Sequence, residues 1–310
     1  MYSGCLRLER FKAAGVHWYE TVLMETPRAR GLALLACGLL AAPIAAQLGT
    51  SAQVWADMPS LRGSVAIVRY VPGYLDRASH VLRRVDLVAS DLTKRGRKPF
   101  PVIVLVVPRE LWEGVSLGRP YGLPVTVSGM TIVVPAEGDQ AVAEQWKQWL
   151  GSDLPKLRGR PLRGTPEGAS ALAIADLFLQ REIAGLFAFR QGLVGADPWI
   201  QGVLSHLVAL VIFDRYETSR MQEIELVYQR LESQIPLRLD LLGEEASARP
   251  VESWLHSQAE YFATALSIYR AHGSKALQRV LKEARKGDGN LDSRRLVRLI
   301  PELSKWLAVR

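Results

Sequence analysis

Residues 180–187, Gln-Arg-Glu-Ile-Ala-Gly-Leu-Phe, have the spacing of a zinc-binding helix but lack the side chains that would bind the metal. In a His-Glu-x-x-His helix, two histidines four residues apart share one face and bind zinc, and the glutamate after the first histidine acts as a general base. Arg181 and Gly185 stand at the two histidine positions. A guanidinium stays protonated in proteins and glycine has no side chain, so neither can donate a lone pair to a metal. Only Glu182, at the position of the base, is present.

The segments before this helix predict a small sheet. Residues 61–70 alternate apolar and polar side chains, which predicts a half-buried strand, and Pro101–Pro108 is a β-branched run typical of a strand buried on both faces. Met130–Pro135 predicts a second short strand, paired in a hairpin with, or adjacent to, Val125–Val127.

A helix is predicted between the first two of these strands, from Tyr74 to Leu92, because its apolar residues recur every three or four positions. We expect its charged residues to lie largely on the opposite, solvent-facing side; they are Asp76, Arg77, Arg83, Arg84 and Asp91.

The chain after residue 140 is predicted to be helical, with Gly and Pro marking the ends of its helices. The expected helices are about Gln140–Leu150, Pro166–Gln191, Pro198–Arg215, Ser219–Gln234, Pro250–His272, Ser274–Lys286 and Asp292–Val309. A sheet followed by helices is the order of an α+β fold. We therefore predict a sheet subdomain over residues 47–139 and a helical subdomain over 140–310.

The N-terminal region has the pattern of an export signal. Arg28 and Arg30 precede an apolar run from Gly31 to Ala46, and Ile44-Ala45-Ala46 before Gln47 has the pattern of a signal-peptide cleavage site, with alanine at its last two positions. We predict a signal peptide over 24–46 and a periplasmic or extracellular protein. Residues 1–23 are polar and mixed, and we interpret them as a mis-called start or a short extension, with translation beginning at Met24.

Two alternatives remain for this segment. Gly31–Ala46 could stay uncleaved as a membrane anchor, or the sequence Leu34-Leu35-Ala36-Cys37 could direct lipidation of Cys37. A membrane partner is expected only in these two cases. The two cysteines, Cys5 and Cys37, both precede the predicted cleavage point, so a cleaved chain has no thiol.

Composition excludes several other classes. The formal net charge is +8, but basic residues are scattered among acidic ones and form no stripe with interleaved aromatics, so we predict no nucleic-acid partner. Phosphate-binding loop, dinucleotide and serine-hydrolase motifs are absent from the sequence. We predict no cofactor and no bound metal.

The order of these segments resembles the gluzincin-type metallopeptidase superfamily, specifically the bacterial peptidase-MA-like proteins. The strand and helix at 101–112, the strand at 130–136 and the helix at 177–189 follow the order that precedes and includes the zinc helix of that family. The segment 198–204 resembles its second helix, where an acidic third ligand is replaced by Gly202, or by Gln201 if the register is shifted by one residue. Residues 253–281 resemble its later aromatic-rich helix.

The resemblance implies a zincin-like helical region that has lost its zinc ligands. We interpret Arg181, Glu182, Gly185 and Gly202 as the remnant of that site. Two interpretations of Arg181 remain open: its permanent charge fills the former metal position, or it forms an exposed ion pair with Glu182.

In working family members, extended peptide binds in the cleft between the zinc helix and the edge strand of the sheet. We expect that edge strand here at Met130, Thr131, Ile132, Val133 and Val134. The resulting hypothesis is an exported, catalytically inactive metallopeptidase-like module that binds or scaffolds a peptide or an envelope protein. The alternatives are a divergent zinc metallopeptidase with non-standard ligands and a membrane-tethered structural protein.

Overall fold

A computed structural model of the chain describes residues 55, 57–96, 100–128, 130–151, 166–193, 198–218, 221–235, 251–286 and 293–304. The predicted extension at 1–23, the signal at 24–46 and Cys37 lie outside the described residues.

Five strands form one mixed sheet in the first part of the described chain. They are β1 (Ser60–Arg62), β2 (Ala66–Tyr70), β3 (Val102–Val107), β4 (Val125–Ser128) and β5 (Thr131–Pro135). The spatial order is β1-β2-β3-β5-β4. Strands β2, β3 and β5 are parallel, whereas β1 and β4 run antiparallel at the two edges. The apolar run predicted to be central is β3, in the middle of the sheet.

Helices make up most of the remaining described chain. They are α1 (Leu75–Arg95), α2 (Arg109–Trp112), α3 (Gln140–Leu150), α4 (Pro166–Arg190), α5 (Pro198–Tyr216), α6 (Met221–Gln234), α7 (Val251–His272), α8 (Ser274–Lys286) and α9 (Ser293–Leu299), followed by a 3₁₀ turn at Pro301–Leu303. A small sheet followed by a mainly helical region confirms the predicted α+β class. Within the described ranges, none of these helices combines the length and the apolar character needed to span a membrane.

The two central helices, α4 and α5, are buried on nearly all sides. Helix α4 packs against β5, β4 and α1, and α5 packs against α4 and α7. Both sequences are predominantly apolar and lack a continuous polar face, as expected for helices that are largely removed from solvent. A continuous cluster of buried side chains runs from Ala66 in the sheet to Leu303 near the end of the described chain. The sheet and the helices therefore share a core across the predicted boundary at 139/140.

The prediction of one strand over residues 61–70 is wrong, because a tight turn divides this segment into β1 and β2. Asp86 of α1 holds the turn: its carboxylate accepts hydrogen bonds from the backbone N–H groups of Ser64, Val65 and Ala66 at 2.9–3.0 Å. The Ser64 hydroxyl donates to the same carboxylate at 2.9 Å. Burial acts to raise the pKa of Asp86, but these hydrogen bonds outweigh burial and lower it.

The predicted edge strand at Met130–Val134 is also wrong. Strand β5 pairs with β3 on one side, through Val104 and Ile132, and with β4 on the other, through Ile132 and Thr126. Ile132, Val133 and Val134 are buried, as suits an interior strand. The edge of the sheet next to α4 is β4. Sequence adjacency indicated that these two strands pair, but not which of them joins β3.

The predicted solvent-facing side of α1 is wrong at Arg77 and Asp91, which are buried. Arg77 pairs with Asp176 of α4, and Asp91 pairs with Arg95 and with Arg215 of α5. These charged residues face α4 and α5 instead of water, because helices that follow much later in the chain cover that side of α1.

Candidate functional site

Arg181 and Glu182 lie where the central helix α4 meets the edge strand β4. The hydroxyl of Thr126 in β4 donates to Glu182 Oε2 at 2.6 Å. The Arg181 guanidinium donates to the other carboxylate oxygen, Oε1. The side chains of Arg181 and Glu182 are only 16% and 10% exposed, so the interpretation as an exposed ion pair is wrong. The Glu182 carboxylate thus links the edge strand to the helix with both of its oxygens engaged.

A second arginine, Arg119, joins this pair from the loop before β4. Its guanidinium carbon lies 4.2 Å from the centre of the Trp254 ring in α7, and that of Arg181 lies 5.7 Å from the same centre. The loop is anchored by Trp112, whose indole N–H donates to the Arg119 carbonyl at 2.6 Å. We call Arg119, Thr126, Arg181, Glu182 and Trp254 the arginine cluster.

The arginine cluster carries more positive than negative formal charge, since two guanidiniums face one carboxylate. Burial lowers the pKa of Arg119, the charge of Arg181 lowers it further, and Glu182 opposes both effects. Arg119 nevertheless remains protonated at neutral pH, as guanidiniums do in proteins. The Nε of Arg181 is buried and has no hydrogen-bond partner within the described chain.

The charge of the cluster also affects His206 of α5. Burial, and then the charge of Arg181, lower the pKa of His206 well below its usual value, so the imidazole is neutral at pH 7. Its Nε2 lies 3.2 Å from Gln258 Oε1, and its ring packs edge-on against Tyr228. Its contacts are those of a structural core residue.

The two predicted glycine positions face different neighbours. A methyl group on Gly185 would lie 3.3 Å from the hydroxyl oxygen of Ser205 in α5. A methyl group on Gly202 would lie 2.2 Å from Cδ2 of Tyr261 in α7, so the tyrosine ring occupies the space that a side chain would need. The structure therefore brings Arg181 and Glu182 into contact, places Gly185 against α5 and turns Gly202 toward α7.

These residues do not fit a zinc ion. Arg181 is a permanent cation at the first ligand position and Gly185 offers no donor atom at the second. A carboxylate at position 202 would require Tyr261 to move. Across the part of the chain that the structure describes, no group of three or more His, Cys, Asp or Glu side chains is arranged to hold a metal.

Sequence reasoning missed three members of the cluster. Arg119 and Trp254 lie in segments far from α4 along the chain, and Thr126 was assigned to a strand without a contact to the helix. The aromatic segment around Trp254 was noted only through the resemblance. The signal that could have found Thr126 is its place in the short strand next to the predicted peptide-binding strand.

Comparison of the chain with protein-family models, with curated proteins and with solved structures found no match. The resemblance to gluzincin-type metallopeptidases therefore stays a prediction from the sequence.

Proposed function

We propose that this protein is an exported, catalytically inactive metallopeptidase-like module that binds an extended peptide or protein segment along β4. The observation that carries this proposal is the contact between the edge strand and the helix of residues 180–187, through Thr126 and Glu182. In the metallopeptidase family that this chain resembles, peptide binds between the corresponding strand and helix. Export is supported by the sequence of residues 24–46.

The edge strand supports a binding role by its position. In the sheet order, β4 has β5 on one side and no strand of the described residues on the other. An outer strand has backbone N–H and C=O groups that can pair with an added strand without any chemical step. Val127 in the middle of β4 is half-buried, so this part of the strand is partly accessible to solvent.

The proposed absence of catalysis is supported by the residues at the ligand positions. Arg181, Gly185 and Gly202 do not fit zinc, and Glu182 is held by Thr126 and Arg181 instead of facing a metal-bound water. Metal analysis of the purified protein gives a direct check. Stoichiometric zinc would favour the alternative, a divergent metallopeptidase.

The binding proposal is tested with an array of randomised decapeptides probed with the purified protein and two variants. Val127→Pro removes a backbone N–H from the edge strand, whereas Val127→Thr keeps that group and the strand propensity. We expect the unmodified protein and Val127→Thr to retain a shared set of peptides and Val127→Pro to lose it. Thermal melting and circular dichroism show whether both variants fold. Equal retention by folded Val127→Pro, or no retained peptide at all, would contradict the proposal.

A further inference from the structure

We infer that Arg119 and Arg181 form a subsite for a carboxylate of the peptide bound along β4. This inference deepens the proposed function and rests on it. The carboxylate could belong to the C-terminus of the peptide or to an acidic side chain, and the experiment below separates these two sources.

The subsite lies beside the path that an added strand would follow. Thr126 belongs to β4 and is hydrogen-bonded to Glu182, which in turn contacts Arg181. A strand added to β4 would lie about 4.8 Å from it, within reach of side chains that border the edge. Arg119 comes from the loop that leads into β4 and interacts with the charge of Glu182, which is bonded to Thr126, so we place both guanidiniums near this strand.

The hydrogen-bonding capacity of the two guanidiniums is not used up by the cluster. Both oxygens of Glu182 are already engaged, one by Thr126 and one by Arg181. Within the described ranges, the Arg119 guanidinium lies over the Trp254 ring and feels the charges of Glu182 and Arg181, and the Nε of Arg181 is buried without a hydrogen-bond partner. A second carboxylate at Arg119 would balance the formal charge of the cluster and accept hydrogen bonds from that guanidinium, and the buried Nε of Arg181 would contribute through its charge alone.

The chemistry of the cluster favours a carboxylate in particular. A planar guanidinium presents N–H groups in a fixed fork that matches the two oxygens of a carboxylate. Stacking on an indole ring stabilises a guanidinium and restricts its orientation. The guanidinium carbons of Arg119 and Arg181 lie over the Trp254 ring at 4.2 and 5.7 Å from its centre, so the closer contact, that of Arg119, is the one that restricts its guanidinium.

Two other features of the structure do not support a ligand site as strongly. The groove between α6 and α7, with a volume of about 330 Å³, is lined by Tyr228, Phe262, Glu225 and Arg270, and nothing in it indicates the chemistry of an occupant. The buried pair of Arg77 and Asp176 is fully satisfied.

The test uses randomised decapeptides without Asp or Glu, immobilised through their N-termini. Each sequence is made with a free C-terminal carboxylate, with a C-terminal amide, and as an amide with one Asp added three residues from the end. At about 0.15 M salt, where distant surface charges are largely screened, the purified protein should retain a carboxylate form at least about tenfold more strongly than the plain amide. Preference for the free terminus alone identifies a C-terminal subsite, and equal preference for the Asp peptide identifies a general carboxylate subsite.

Matched variants separate this subsite from the general positive charge of the protein. Arg119→Gln should reduce the ratio of carboxylate to amide binding to about one, because one guanidinium is lost. Arg270→Gln removes the same charge from an exposed position at the other end of α7 and should keep the ratio. Arg119→Lys keeps a cation but loses the planar set of guanidinium N–H groups, so it should lower the ratio of carboxylate to amide binding without reducing it to one. This variant replaces Arg119→Gln if Arg119→Gln does not fold.

The outcomes distinguish the inference from the function on which it rests. If the unmodified protein binds acid and amide forms equally, the subsite is overturned while the edge-strand proposal stands. If no form binds, the proposed function itself is overturned, and the subsite with it. If Arg119→Gln keeps the ratio of carboxylate to amide binding, Arg119 does not bind the carboxylate. If Arg270→Gln loses the ratio, the preference comes from net charge. Either result would overturn the subsite.

Discussion

Arg77 of α1 and Asp176 of α4 form a bidentate ion pair that is almost completely removed from solvent. The Nη1–Oδ2 and Nη2–Oδ1 distances are 3.1 and 2.8 Å, and the side chains are 4% and 3% exposed. Arg77 Nε also donates to the carbonyl of Pro135 at the end of β5, at 3.1 Å. His80 approaches the same carboxylate to 3.4 Å. A single arginine thus joins the first helix, the sheet and the helix that carries Glu182.

Removing Arg77 should destabilise the fold far more than removing an exposed arginine. Arg77→Ala leaves Asp176 buried without its partner, and breaking a buried pair in this way typically costs about 3–5 kcal/mol in free energy of unfolding. Arg270→Ala breaks an ion pair with Glu225 in which the arginine side chain is 64% exposed, and such surface pairs contribute about 0–1 kcal/mol. Urea unfolding at pH 7 measures both. Similar decreases in the free energy of unfolding in the two variants would show that the buried pair contributes no more to stability than the surface pair.

The same pair predicts how stability depends on pH. Burial acts to raise the pKa of Asp176, but the charge of Arg77, the hydrogen bonds from His80 and Arg77 and the charge of Arg84 outweigh burial and hold the pKa well below its ordinary value of 3.8. As pH falls below 3.8, the unfolded chain binds a proton at this carboxyl that the folded chain excludes. The contribution of Asp176 to stability is therefore complete above that pH and declines below it.

Asp176→Asn provides the measurement of this effect. The difference in free energy of unfolding between the unmodified protein and Asp176→Asn should be constant from neutral pH down to about pH 5 and should shrink as the pH falls below about 4. Urea midpoints recorded across this range test it. A difference that stays the same down to about pH 3 would contradict the lowered pKa.

The turn between β1 and β2 should depend on Asp86 and Gly63 together. Asp86→Ala removes the acceptor of the turn's N–H groups and should cost about 1–2 kcal/mol, because the site is partly open to water. A methyl group on Gly63 would lie 2.4 Å from Cγ of Asp86, so Gly63→Ala should displace the carboxylate and cost a similar amount. In the double variant the two costs should not add, because the same interaction is lost. Additive losses in thermal melting would rule out this coupling.

The two glycines at the predicted zinc-ligand positions should respond differently to alanine. Gly202→Ala places a methyl group 2.2 Å from a ring carbon of Tyr261 and should cost about 1–3 kcal/mol through overpacking. Gly185→Ala requires only a small shift of the Ser205 hydroxyl, at 3.3 Å, and alanine favours helix by up to about 1 kcal/mol, so we expect no loss or a gain. Thermal melting compares the two.

A second background tests the cause assigned to Gly202. In a Tyr261→Ala chain the ring is absent, so adding Gly202→Ala should carry little further cost. If the cost persists without the ring, its cause lies elsewhere in α5.

Arg181 should contribute more to stability than a surface residue. Arg181→Ala leaves Glu182 mostly buried, with the Thr126 hydroxyl as its one hydrogen-bond partner among the described residues, and the loss should exceed 1 kcal/mol, at about 2–3 kcal/mol for an incompletely buried charge pair. Arg190→Ala, at the exposed end of the same helix, is the control and should change the melting temperature little. A neutral result for Arg181→Ala would rule out a structural role in the cluster.

The fold class and most helix and strand positions could be predicted from local patterns. Helix α8 begins and ends at the predicted residues, Ser274 and Lys286, and α3 does so at Gln140 and Leu150. Gly and Pro mark such ends within a few residues of the helix itself. The tight turn at Gly63 was missed, because its stabilising acceptor, Asp86, lies in another element.

The candidate site could be predicted only in part. The spacing of Arg181, Glu182 and Gly185 identified the segment of α4 that meets the sheet, but the interpretation as a former zinc site remains a prediction. The sequence pattern predicts β5 as the edge strand instead of β4, and it gives no indication of Arg119. Each of these depends on which elements become neighbours, and a single sequence contains no direct measure of that.

The sequence by itself determined the elements, because helix and strand periodicity depends on side chains within a few positions of each other. The tertiary structure decided which charged side chains are buried and what they contact. Thr126 and Glu182 are separated by 56 residues, and Arg77 and Asp176 by 99. An isolated charge is costly to bury, so these residues look like surface residues in the sequence. They become interior residues only when folding brings their partners to them.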